Sequence, residues 1–212
     1  MRATDERFTG RIAGFGTASG VRIVIGMWSA SPFARFADVM VEEVDGRRLL
    51  IAPTPAVAAY VSSTYSFDAV ELADVHLSHS RAPEAEHTVR VTAGSLEVTL
   101  HVGAITPLGR LLRAVPARLA VSPAWLRAID PVAGMLVPGV HTSGSAGGGR
   151  REYYGVTTIR AVTSVTAVWD GRDLGALRPL EPPVTFGFGS APSAPSLVDL
   201  TTVIRSSSTV HG

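Results

Sequence analysis

At 212 residues with 46% hydrophobic content, the chain is long enough to bury a core of its own without a disulfide or structural metal. Its 19 basic and 18 acidic residues leave a formal charge of +1, which supplies no basic footprint for nucleic acid. There is no cysteine and every basic residue is arginine, so thiol nucleophiles, zinc–thiolate and iron–sulfur centres, Schiff-base or pyridoxal-phosphate lysines and P-loop lysines are excluded.

The start, Met1 to Arg7, is charged and lacks an apolar stretch, which predicts no secretory signal and a cytoplasmic protein. Phe8 to Gly20 is glycine-rich. Its Gly14-Phe15-Gly16-Thr17-Ala18-Ser19-Gly20 has the wrong spacing for a dinucleotide-binding loop, and a strand follows where a phosphate-binding helix would start, so it reads as a turn. Val21 to Trp28 is β-branched and apolar on both faces, a buried strand.

Ala37 to Ala52 reads as a hairpin around Asp45-Gly46, the pair a two-residue type I′ turn needs. That turn would set Glu43 opposite Arg48 and Val41 opposite Leu50. Thr54-Pro55 then caps a helix over 54–65, with Val57, Tyr60, Val61 and Tyr65 as its buried stripe. Ala69 to Ser78 is predicted as one strand. Thr88–Thr92 and Ser95–Val102 form a second hairpin, with Val89, Val91, Leu96, Val98, Leu100 and Val102 on one face and Arg90 facing Glu97 on the other.

Three short helices follow between Pro107 and Val137, after the caps Thr106, Ser122 and Asp130. Their leucines and arginines (Leu108, Leu111, Leu112, Leu119, Arg110, Arg113, Arg118) read first as a plug on the sheet, and second as a surface for peripheral membrane contact. The uncharged run from Pro131 to Gly149 is broken by proline and glycine and is no membrane span. Val156 to Trp169 is strand, ending at the turn pair Asp170-Gly171. Val184 to Gly189 and Leu197 to Ile204 are the last predicted strands, and 206–212 a frayed tail. Tight hairpins without intervening helices predict one α+β domain over 1–205, mainly an antiparallel sheet, strongly curved or barrel-like, with short helices at 54–65 and 107–137.

Two groups of residues stand out chemically. The loop Ser143 to Arg151 offers free backbone N–H groups and two arginines to an anion, so Arg150, Arg151, Tyr153, Tyr154 and His141 are the candidate ligand-binding residues. Asp74 and His76 share one strand face, and Glu97 and His101 another. Were these strands neighbours, the four would be candidate acid–base residues at a barrel mouth. The histidines have no metal-ligand spacing, and no metal or other cofactor is expected.

The runs Ala37-Asp38-Val39-Met40-Val41-Glu42, Leu50-Ile51-Ala52-Pro53-Thr54, Gly144 to Gly155 and Phe186-Gly187-Phe188-Gly189-Ser190 resemble an uncharacterised family of similar-length actinobacterial proteins. That resemblance spans most of the chain and implies no activity. At the level of fold, the hairpin-rich layout resembles acetoacetate decarboxylase-like barrels, whose Schiff-base chemistry cannot follow in a chain without lysine. Three functions remain open: a small-molecule binding domain for a partly apolar anion, a hydrolase or isomerase working through Asp/His acid–base residues, and a homo-oligomeric interaction module.

Overall fold

The computed structural model describes residues 4–81, 87–127, 143–146, 150–187 and 192–206. In chain order the strands are β1 (Thr4–Thr17), β2 (Arg22–Ala30), β3 (Phe36–Glu42), β4 (Arg48–Ala52), β5 (Ala69–Leu72), β6 (Val75–Arg81), β7 (His87–Ala93), β8 (Leu96–Ile105), β9 (Ser143–Ala146), β10 (Arg150–Trp169), β11 (Arg172–Asp173), β12 (Leu177–Arg178) and β13 (Ser196–Ser206). The helices α1 (Pro55–Thr64), α2 (Pro107–Arg113) and α3 (Ala117–Ala120) are short, and a further helical turn occupies 123–127.

Ten strands form the main path of one sheet in the order β5-β4-β3-β2-β1-β13-β10-β8-β7-β6, with β9 and β11 paired to β10 and β12 to β1, and every pairing is antiparallel except β4 with β5. The sheet curls strongly into a half-barrel. Its two edges, β5 and β6, follow each other in sequence, linked only by Ala73 and Asp74. The predicted single strand over 69–78 is therefore two, one at each edge of the curl.

Two-residue alternation decides which side chains fill the curl. Ala13, Phe15, Ile23, Ile25, Val39, Val41, Leu49 and Ile51 point inward from the first half. They meet Val89, Val91, Leu96, Val98, Leu100 and Val102 from the second, as the alternation of β7 and β8 predicts. Of the predicted turn over Gly14 to Gly20, only Ala18 to Gly20 turns, with Gly20 at φ +86°; the glycines before it belong to the central strand β1. Glycine is required where backbones approach: a Cβ on Gly10 would strike the Met27 carbonyl oxygen, and one on Gly16 that of Pro179.

The first hairpin keeps its place and shifts its register. Glu42 lies opposite Arg48 and Val41 opposite Leu49. The loop is Val44-Asp45-Gly46, closed by Glu43 N–H to the Arg47 carbonyl at 2.9 Å, with Gly46 at φ +87°. A three-residue loop ending in a left-handed glycine competes with the two-residue turn for the same Asp-Gly pair, and here it wins. The slip frees Glu42 to be buried against Arg22 at 3.0 Å, and sends Arg48 to Asp68 at 2.9 Å. In the second hairpin Arg90 lies opposite Thr99, and Glu97 opposite Thr92, so those two charges are diagonal rather than paired.

The predicted caps Thr54 and Thr106 are in place. Thr54 Oγ1 accepts from Val57 N–H at 3.3 Å, and Thr106 Oγ1 from Gly109 N–H at 3.0 Å. Helices α2 and α3 lie on β10, where Gly109 and Gly155 allow contact with the Ile159 and Ala120 backbones. Leu111 and Leu119 stay exposed on that layer. No helix among the described residues is long and apolar enough to cross a membrane. Of the predicted strand over 184–189, the described part, 184–187, is irregular, and Phe186 is buried against the Phe67 ring. The predicted helix after Asp130, His141 and the 207–212 tail lie outside the described residues.

Candidate functional site

On the outer face of the sheet, opposite the filled curl, α1 and the segment 184–187 roof an aromatic slot of about 90 Å³. Its floor is the other half of the strand alternation: Phe8 and Ile12 of β1, Trp28 of β2, Phe36 and Met40 of β3, Ile204 of β13. Phe8 sits at the centre, within 5.3–6.5 Å of the Trp28, Phe33, Phe36 and Tyr60 rings. Such edge-on and tilted packing gives rigid apolar walls.

Polar contacts fix the roof. Tyr60 donates to Glu6 Oε2 at 2.7 Å, and Tyr65 donates to Glu152 Oε1 at 2.8 Å. The Tyr65 and Tyr154 hydroxyls are 2.7 Å apart. Arg150 donates to the Ser63 carbonyl at 2.6 Å and to Ser63 Oγ at 2.8 Å, while its guanidinium lies 5.3 Å over the Tyr60 ring.

Two buried carboxyls face the slot. Asp38, 1% exposed, accepts from the Trp28 indole N–H at 3.0 Å. Gly26 opens the space for that bond, since a Cβ there would crowd both Asp38 and Trp28. Glu152 is also 1% exposed, and among the described residues its Oε2 has no hydrogen-bond partner; nor does the buried Thr202 Oγ1. Burial pushes each carboxyl up to about 7, against the lowering bonds from Trp28 at Asp38 and from Tyr65 and Tyr154 at Glu152. Tyr65 is held well above the usual tyrosine range by burial and then by Glu152. Asp38 on β3 and Glu152 on β10 are four strands apart, roughly 19 Å at about 4.8 Å per strand, so they are two separate polar ends and not a dyad.

The predicted loop residues divide by alternation along β10. Arg150, Glu152 and Tyr154 face the slot side, with Tyr154 in its wall. Arg151 is exposed, and Tyr153 is buried on the opposite face with Leu126 and Val203, the Arg205 guanidinium 5.9 Å over its ring. Ser143 to Ala146 pair with β10 as β9, and Gly147 to Gly149 of the predicted anion loop lie outside the described residues. Of the acid–base candidates, Asp74, His76 and Glu97 are exposed and His101 is half-buried. His76 and Glu97 lie on one row of the outer face with Thr92 between them, and His101 is four residues along. Among the described residues no three His, Asp or Glu side chains converge to hold a metal ion.

Sequence pattern alone passed over Asp38, Tyr65, Glu152 and Thr202. Comparison of the chain with protein-family models, curated proteins and solved structures returns no match. The functional reading therefore rests on the geometry of the site.

Proposed function

We propose that the protein is a small-molecule binding domain whose ligand is partly apolar and enters the slot beneath α1. The observation that carries this reading is Glu152: a carboxyl buried in an aromatic cavity with one oxygen left unpaired beside an equally unpaired Thr202 hydroxyl. Orphaned buried polar atoms are costly, and a hydrogen-bonding ligand head removes that cost. Among the described residues the lining contains two carboxyls and no arginine or histidine. That balance disfavours an anion and favours a neutral or cationic head, which shifts the ligand chemistry away from the anion suggested by the Gly/Arg/Tyr run.

A proton affinity near neutrality is also what a general acid–base needs. The other carboxyl of the slot, Asp38, is four strands away, which favours binding over acid–base turnover.

Phenol, benzylamine and benzoate share one ring and differ in head charge, and the Trp28 indole N–H resonance reports on the slot directly. Millimolar phenol and benzylamine are expected to shift that resonance, benzoate to leave it in place, and Val61→Trp to abolish both shifts by filling the slot. An unmoved resonance with all three, or equal shifts in the Val61→Trp variant, overturns the assignment.

A further inference from the structure

The inner face of the curled sheet changes character along its length. Ala13 and Leu197, opposite each other on β1 and β13, belong to the apolar core. Two residues along the same face the pair becomes Arg11 opposite Asp199. The same change occurs on other strands: Val75 and Leu77 pack on the core and His79 follows them, His87 precedes Val89 and Val91, and Arg160 precedes Val162. These five polar side chains, Arg11, His79, His87, Arg160 and Asp199, line one open cleft of about 430 Å³ at the mouth of the half-barrel. Through Arg11, His79 and Asp199 it runs into a larger cleft of about 790 Å³ between β3 and β6.

The charges here are not used against each other. Arg11 lies in register with Asp199 yet forms no ion pair with it; its guanidinium points to His79 Nε2 at 3.2 Å. That contact requires the imidazole to accept, so the ring is neutral, and burial followed by the Arg11 charge lowers its proton affinity accordingly. Arg160 has no side-chain hydrogen bond or ion pair among the described residues. Two guanidiniums and two imidazoles thus converge with a single carboxylate, and guanidinium forks match the oxygens of a tetrahedral oxyanion.

We propose that this mouth is a second ligand site, and that it binds the phosphate group of a small molecule. Asp199 decides which oxyanion. A carboxylate repels a fully ionised anion but accepts a hydrogen bond from an anion that carries its own O–H: inorganic phosphate does so at neutral pH and a phosphate monoester does so below its second pKa of about 6, whereas sulfate does not. Burial raises the proton affinity of Asp199 in spite of Arg11, Arg160 and Arg113, which suits it to share that proton. The clefts are several times larger than one phosphate, so the group arrives attached to a larger body.

The test follows the imidazole resonances of His79 and His87 in the intact protein during titration with inorganic phosphate, phenyl phosphate and sulfate at one ionic strength and at about pH 5.5, where both phosphates keep an O–H and sulfate has none. Both phosphates are expected to shift the two rings, with phenyl phosphate the tighter and sulfate at least tenfold weaker. Arg160→Ala should cut phosphate affinity tenfold or more. Asp199→Asn should narrow the gap between phosphate and sulfate, with the Trp28 indole resonance unmoved as evidence of an intact fold. Inorganic phosphate binding as tightly as phenyl phosphate would keep the site and identify free phosphate as its ligand. Equal binding of sulfate and phosphate, or unchanged phosphate affinity in Arg160→Ala, overturns the proposal.

Discussion

Replacing Glu152 by glutamine should make the protein more stable at alkaline pH and leave it nearly unchanged in acid. The ordinary glutamate value is 4.5, and burial raises Glu152 to about 7. At ~1.4 kcal/mol per pH unit, ionising it in the folded protein costs roughly 3 kcal/mol more than in the unfolded chain. The sign follows from proton counting: between pH 4.5 and about 7 the folded state holds a proton that the unfolded chain has released. Stability therefore falls as pH rises through that window, with no effect below it and the full penalty above it. His79 is shifted down and acts in the opposite sense below its ordinary value of 6.5, while Asp199 is shifted up and acts in the same sense as Glu152. Both cancel in the difference between wild type and variant. Glutamine can still accept the Tyr65 bond and carries no ionisable proton. Urea unfolding followed by circular dichroism at pH 4.5, 6 and 8 should show Glu152→Gln gaining roughly 3 kcal/mol at pH 8 and within about 1 kcal/mol of wild type at pH 4.5. Parallel pH profiles for the two proteins would show that Glu152 titrates as an ordinary surface glutamate and would refute the reasoning.

Asp38→Asn should give a similar alkaline gain, roughly 4 kcal/mol, and add to Glu152→Gln because the two residues are four strands apart; a double-variant denaturation series checks this. Glu42→Ala should cost about 3–5 kcal/mol by urea unfolding, since it strands the buried Arg22 guanidinium and releases Thr185, whose N–H reaches Glu42 Oε2 at 2.6 Å. Gly10→Ala should lower stability by about 1–3 kcal/mol, because its Cβ must displace the Met27 carbonyl in the centre of the sheet; thermal denaturation at matched pH measures it. Tyr65→Phe should cost about 1–3 kcal/mol at neutral pH and move the Glu152 titration further up, both visible in the same pH series.

Much of the fold was legible because burial imposes a period of two on each strand. Val89 to Val102 shows it plainly, and the threonine–proline caps at 54 and 106 mark two helices by local chemistry alone. Where the sequence misled, a tertiary constraint had overridden a local signal. Gly14 and Gly16 of β1 read as part of a turn, although Gly16 is there to let the Pro179 backbone come close. Asp45-Gly46 serves a two-residue or a three-residue loop equally well, and only the burial of Glu42 chooses between them. The site was less legible still. Arg150-Arg151-Glu152-Tyr153-Tyr154 looks like a polar surface run, and alternation does separate Arg150, Glu152 and Tyr154 from Arg151 and Tyr153. Yet only α1 closing over β10 and β13 makes Glu152 buried and Thr202 unpaired, and no short-range pattern encodes that contact. At the mouth, Val75-x-Leu77-x-His79 did carry a signal: the histidine on the buried face is His79, while His76 points outward.

The most direct test of the slot is a crystal structure of the protein grown with phenol. The ring should stack among Phe8, Trp28 and Tyr60, with its hydroxyl within about 3 Å of Glu152 Oε2 or Thr202 Oγ1. A slot filled by its own side chains, or phenol bound only elsewhere on the surface, would contradict it.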